Sequence, residues 1–118
     1  MRSKSLIFLA LAILAVGCAG LYHSGSDSYI NVKNTKWIYV DTDASYTVIF
    51  KGNGHLKTTN PNDKTPDNDF WEQEGAVVRF NFNNKYSNYE GHFAGCDTIR
   101  GTGRNSDESW DFQMTRKK

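Results

Sequence analysis

From residue 34 onward the chain is a succession of short stretches in which apolar side chains recur at every second position. Residues 45–51 put Tyr46, Val48 and Phe50 on one face and Thr47, Ile49 and Lys51 on the other. Residues 76–83 set Val78, Phe80 and Phe82 against Val77, Arg79 and Asn81, and residues 108–115 set Trp110, Phe112 and Met114 against Asp111, Gln113 and Thr115. Period two belongs to strands with one face in and one face out. After residue 18 no segment spaces its apolar residues at i, i+3, i+4 and i+7, so nothing there reads as an amphipathic helix. Further strand signals lie at 36–40, 55–59, 69–74, 86–94 and 96–102, rich in aromatic and β-branched residues. The punctuation between them is turn chemistry: Asp41-Thr42-Asp43, Gly52-Asn53-Gly54, Gly75 and Asn83-Asn84. Residues 60–69, which hold both prolines, and residues 103–107 read as loops. The expected fold is all-β, a small antiparallel up-and-down barrel of about eight strands, because closure leaves no sheet edge to aggregate.

The first eighteen residues have a different character. Arg2 and Lys4 make a short basic start, and Leu6 to Val16 is an unbroken apolar run of eleven residues. At about 1.5 Å of rise per residue, that run falls well short of a bilayer core of about 30 Å. A basic start, a short apolar core and small residues before a cut describe a secretory signal peptide over residues 1–17. Its end, Ala15-Val16-Gly17-Cys18, resembles the lipobox of bacterial lipoproteins. The resemblance implies a diacylglyceryl group on the Cys18 thiol, a cut before Cys18 and acylation of the new amino terminus. Ala19, where an Asp would favour the inner membrane, implies the outer membrane, with the domain facing the periplasm. Ala15-x-Gly17 also suits the general signal peptidase, which would release an unlipidated protein. Residues 18–33 read as the lipidated Cys and a flexible Ser/Gly/Asp tether, with Tyr29 and Ile30 near the domain edge, and residues 34–118 as the barrel domain.

Composition narrows the partners. Removing Arg2 and Lys4 with the leader leaves one more acidic than basic residue, so no basic excess invites nucleic acid. One domain is expected at this length, large enough for a core without metal staples. The two cysteines separate the export readings. If Cys18 carries lipid, Cys96 is a buried thiol or, more rarely, a reactive one; if not, a Cys18–Cys96 disulfide becomes available in an oxidising compartment.

Lys36-Trp37 opening the first strand, Phe50-x-Gly52-x-Gly54 at the first hairpin and Trp71 followed by Gly75 resemble small bacterial lipocalin-like lipoproteins. So do Tyr89-x-Gly91, Gly101 and the late Trp110. The lipocalin Gly-x-Trp is Thr35-Lys36-Trp37 here. The resemblance implies that Trp37 plugs one barrel end and that Phe50, Phe80, Phe82 and Trp110 line the interior.

No catalytic constellation stands out. H-x-x-x-H, H-E-x-x-H, C-x-x-C and G-x-S-x-G are all missing, and His23, His55 and His92 lie far apart in the chain. Asp63, Asp67 and Asp69 lack the order of a calcium loop. The chain is therefore expected to be a non-enzymatic binding protein with no metal and no cofactor. Aromatic residues make up 14% of it, and only Phe8 falls in the leader. The candidate ligand residues are Trp37, Tyr46, Phe50, Phe80 and Trp110, taking a small apolar ligand in or at the mouth of the barrel. The alternative partner is an envelope protein, such as a hydrolase to be inhibited, held by the loops at 60–69 and 103–107.

Overall fold

The computed structural model describes residues 3–4, 22–24, 27–61 and 68–117. Its strands are β1 (Ser3–Lys4), β2 (Tyr22–Ser24), β3 (Asp27–Tyr29), β4 (Thr35–Val40), β5 (Ser45–Phe50), β6 (Leu56–Thr58), β7 (Phe70–Glu74), β8 (Val77–Phe82), β9 (Ser87–Phe93), β10 (Thr98–Arg104) and β11 (Ser109–Lys117). No α-helix occurs among the described residues. The last eight strands run in the order β6-β5-β4-β11-β10-β9-β8-β7, every pair antiparallel. The two ends of that order meet where Leu56 N–H donates to Asp69 C=O at 2.9 Å and Trp71 N–H to Gly54 C=O at 3.0 Å, around the His55–Phe70 bridge. The sheet is thus a nearly closed eight-stranded barrel, compatible with a lipocalin-like fold.

Alternation along the strands fills it. Trp37, Tyr39, Val48, Phe50, Val78, Ile99, Phe112 and Met114 are wholly buried. The rings pack in the two arrangements their quadrupoles favour, offset-stacked and edge-to-face. Phe80 stacks on Tyr89 at 4.6 Å, Tyr39 stacks between Tyr46 and Phe112, and Phe50 meets Phe80 edge-on at 5.9 Å. Glycines on β9 and β10 make room for this. A side chain at Gly103 would strike the Trp110 indole and the Tyr89 ring at 2.6 Å, so both rings lie directly over the strand.

The register gives the barrel two distinct ends. The turns at 41–44, 83–86 and 105–108 lie at one end, here called the mouth; those at 51–54, 75–76 and 94–97 lie at the other, the base. The base is sealed by the chain leading into β4. Ile30 and Val32 are buried, Val32 N–H donates to Gln73 Oε1 at 2.9 Å, and Gln73 Nε2 donates to Ile30 C=O at 2.7 Å. Tyr29 packs its ring against Phe93 at 6.2 Å. Tyr29 and Ile30 thus pack against the barrel, and Ile30 and Val32 cover its floor. Trp37 lies at this end, edge-on to Phe93, with its indole N–H on Thr35 Oγ1 at 2.7 Å.

Two further differences concern turns. β10 runs through Gly103 and Arg104, so the expected loop at 103–107 shrinks to 105–108, where Asn105 Oδ1 accepts the N–H groups of Asp107 and Glu108. Cys96, in the turn between β9 and β10, is half-buried against the core and disulfide-bonded rather than a thiol. The chain's other cysteine, Cys18, lies outside the described residues. So do residues 62–67 of the proline loop and most of the expected leader and tether. Ser3–Lys4 pairs in parallel with Ser109–Trp110 on β11.

Candidate functional site

The mouth holds a concavity of about 420 Å³. Its floor is Tyr46 from β5, Phe82 from β8, Tyr89 from β9 and Trp110 from β11; its rim is Asp41, Asp43, Asn60, Tyr86 and Ser87. Each floor residue is the inward-facing aromatic nearest that end of its strand, so the period-two pattern delivers four rings to one place. Tyr86 follows the Asn83-Asn84 turn, where positive φ angles of 55° and 56° carry the chain sharply round. Its ring is 54% exposed, the most exposed large apolar side chain among the described residues.

A hydrogen-bonded chain fixes the floor. Trp110 Nε1–H donates to Tyr39 Oη at 2.9 Å, and Tyr39 O–H donates to Asp41 Oδ2 at 2.6 Å. Asp41 Oδ1 accepts the N–H groups of Asp43 and Ala44 at 2.7 and 2.9 Å, which closes the β4–β5 turn. One carboxylate therefore shapes the rim and anchors the core beneath it. Burial first, then the neighbouring phenols and the Asp41 carboxylate, pushes the Tyr39 hydroxyl far above its ordinary range. Tyr46 is raised in the same way by burial, Tyr89 and Asp41, against a lowering hydrogen bond from Asn60. Both phenols stay neutral donors at any physiological pH.

This has a measurable consequence. In the unfolded chain both phenols ionise near pH 10, whereas the fold holds them protonated. Below pH 10 they add no pH dependence; above it, ionisation favours the unfolded chain by about 1.4 kcal/mol per pH unit for each phenol. Denaturant midpoints are expected to fall steeply above pH 10, with two phenolate absorbances appearing together with unfolding and not before it. Ionisation of all six tyrosines in the folded state would contradict the buried network.

Two other hollows are less suited to a ligand. An outer groove of about 600 Å³ crosses β7 to β10. Within it Arg79 reaches Glu90 at 2.8 Å and Glu72 at 3.8 Å, and Glu74 beside it at 3.2 Å; Lys85 and Arg104 line it as well. These are exposed pairs, worth little to stability, and they hold the guanidinium above its ordinary value. A shallow hollow of about 450 Å³ lies at the base between Tyr29, Lys33, Trp71 and Gly75, with the Trp71 indole N–H bound to Lys51 C=O at 2.8 Å. His55 packs on Phe70 at 4.8 Å, and His92 lies 3.9 Å from Glu90 on the outer face.

Of the five aromatic residues singled out in the sequence, Tyr46 and Trp110 lie together at the mouth. Trp37, Phe50 and Phe80 are buried elsewhere in the barrel and do not line it. Cys18 lies outside the described residues. Asp41, Asp43, Asn60, Phe82, Tyr86 and Tyr89 complete the mouth and were not anticipated as a site. Their signal was the acidic Asp41-Thr42-Asp43 turn joining two inward-aromatic strands. No protein-family model matches the chain, and neither a curated protein nor a solved structure does.

Proposed function

We propose that this protein is a cell-envelope binding module that takes a small ligand at the open mouth of its barrel, exported by its leader and held at the outer membrane through lipid on Cys18 in a mature form that lacks the Cys96 disulfide. The observation that carries the reading is the concavity of about 420 Å³ floored by four rings from four strands. Its volume falls within the range of about 300–1,000 Å³ usual for small-molecule sites. Rings fill the barrel behind it, so the ligand sits at the mouth and not inside. The lipobox Ala15-Val16-Gly17-Cys18 supports the anchor. The segment leading into β4 joins the barrel at its base, so an anchored domain carries its mouth on the side away from the bilayer.

The disulfide at Cys96 supports a second form of export, into an oxidising compartment without the lipid. A chain with two cysteines cannot both acylate Cys18 and pair it with Cys96. Intact mass of the protein taken from its own membranes separates the two. Added acyl mass with a labelling-competent Cys96 supports the anchor, and an unacylated chain with Cys96 blocked supports the released form.

The ligand reading is tested by native mass spectrometry of the protein after exposure to an envelope extract. The expected result is a small adduct carried by the wild type and lost in Tyr86→Ala, with unchanged thermal stability. An adduct kept in full by Tyr86→Ala, or none on the wild type, would overturn the mouth as the site.

A further inference from the structure

We propose that the base-side part of the wall formed by β11, β4, β5 and β6 is a membrane-contact face, resting on a surface of anionic lipid head groups. The inference rests on the reading that Cys18 anchors the chain, and adds to it what the barrel itself touches. The ladders put Lys117 of β11 opposite Lys36 of β4, Lys36 opposite Ile49 of β5, and Ile49 opposite Lys57 of β6. Cross-strand partners share a face. Three exposed lysines thus stand in one row across four strands, with an isoleucine between two of them. At the neighbouring base turn Lys51 is exposed, and the Lys33 side chain lies over Gly52, its Cε 3.2 Å from where a Cβ there would stand.

Like charges directly opposite each other on a ladder repel, and the surrounding wall offers this row no relief. β4, β5 and β6 contain no acidic residue, and the one in β11, Asp111, lies towards the mouth. No carboxylate pairs with Lys33, Lys36, Lys51, Lys57 or Lys117 among the described residues. Glu72, Glu74 and Glu90 lie on β7 and β9, where Arg79 joins them. The whole chain carries a formal charge of only +1, so the lysines are a local concentration of positive charge. An anionic membrane surface supplies the missing counter-charge. Its attraction for clustered lysines fades within a Debye length of about 8 Å, so the face must be held close. Position meets that need. The segment that follows Cys18 enters the barrel at this same end. Ten residues lie between Cys18 and Tyr29, at most about 36 Å of chain.

The test uses the protein as isolated from its own membranes, reconstituted into nanodiscs of phosphatidylcholine with or without phosphatidylglycerol. Lysine acetylation is read residue by residue by mass spectrometry, with Lys85, in the β8–β9 turn at the mouth, as internal reference. Lys36, Lys57 and Lys117 are expected to react several-fold more slowly on the phosphatidylglycerol discs alone. They are expected to regain their rate at about 1 M salt, where the screening length falls to about 3 Å. Lys117→Glu, which sets an opposite charge against Lys36, is expected to keep the melting temperature and to reduce the protection of Lys57. Equal rates on both kinds of disc, or protection of Lys57 untouched by Lys117→Glu, would overturn the inference and leave the anchor standing. Protection in intact envelopes but on neither disc would give the face to an acidic protein and overturn the lipid. Protein isolated without acyl mass would overturn the anchor reading instead. Added to the same discs, that protein supports the face if it binds only those with phosphatidylglycerol and is protected at the three lysines, and overturns it if it binds neither.

Discussion

Gly101→Ala is expected to unfold the barrel, with a loss on the order of 4 kcal/mol or more in a domain whose whole stability is of the order of 5–15 kcal/mol. A Cβ built on Gly101 would lie 1.9 Å from the Glu90 carbonyl oxygen and 2.6 Å from Gly91 Cα. Both are backbone atoms, so no side chain can turn aside to admit the methyl group. The two strands must part instead. Gly101 faces Gly91 in the β9–β10 ladder and Phe112 in the β10–β11 ladder, at the centre of both. Parting them breaks interstrand hydrogen bonds and opens the core at Ile99 and Phe112. Gly54→Ala is the matched control. Nothing lies within 4 Å of its added Cβ, and its cost comes only from a φ of +87°, about 1 kcal/mol. Urea unfolding followed by circular dichroism reads both. Equal losses would mean that the β9–β10 approach is not as close as described.

Phe80→Ala is expected to cost about 3–5 kcal/mol, the range for deleting a buried ring and leaving part of its cavity behind. Phe80 stacks on Tyr89 and meets Phe50 and Phe112 edge-on, so the vacated space adjoins three rings that are themselves held by other neighbours. At roughly 4–8 °C per kcal/mol for a domain of this size, the melting temperature falls by well over ten degrees. Ligand capture, measured below that transition, is expected to survive, because Phe80 does not line the mouth. Tyr86→Ala should behave in the opposite way, within about 0.5 kcal/mol of wild-type stability but without capture. Loss of capture in a folded Phe80→Ala protein would return the site to the barrel interior.

The strands were legible because both of their signals are local. Alternation at Tyr46-Thr47-Val48-Ile49-Phe50 sets which face is buried, and Asn83-Asn84 or Gly75 sets where the chain reverses. The packing of the segment before β4 was legible only in part: Tyr29 and Ile30 read as lying near the domain edge, whereas the floor formed by Ile30 with Val32 is hidden in a polar stretch. What holds them is the Gln73 amide 43 residues further on. β10 was cut short in the sequence reading because Gly103 looks like a turn residue. Its neighbours decide otherwise: Tyr89 and Trp110 pair with it on either side and lay their rings over it. At the site, alternation marked Tyr46 and Trp110 as inward-facing but carries no information about depth, so Phe50 and Phe80 looked equivalent to them. Asp41 and Asp43 read as turn chemistry alone, because only the closed barrel brings the β4–β5 turn beside the β8–β9 turn.

The pairing of β4 with β11 also fixes the order in which the molecule can be completed. Val40 faces Gln113 and Lys36 faces Lys117, so the first barrel strand waits for the last. While the chain is being synthesised, each intermediate is an open sheet with two unsatisfied edges, and the ring-filled interior has no far wall. Joining segments so distant in sequence is slow compared with forming a hairpin. A chain of this topology therefore cannot close its barrel until β11 is available, and before then the apolar faces of the strands already made have no opposite wall to cover them.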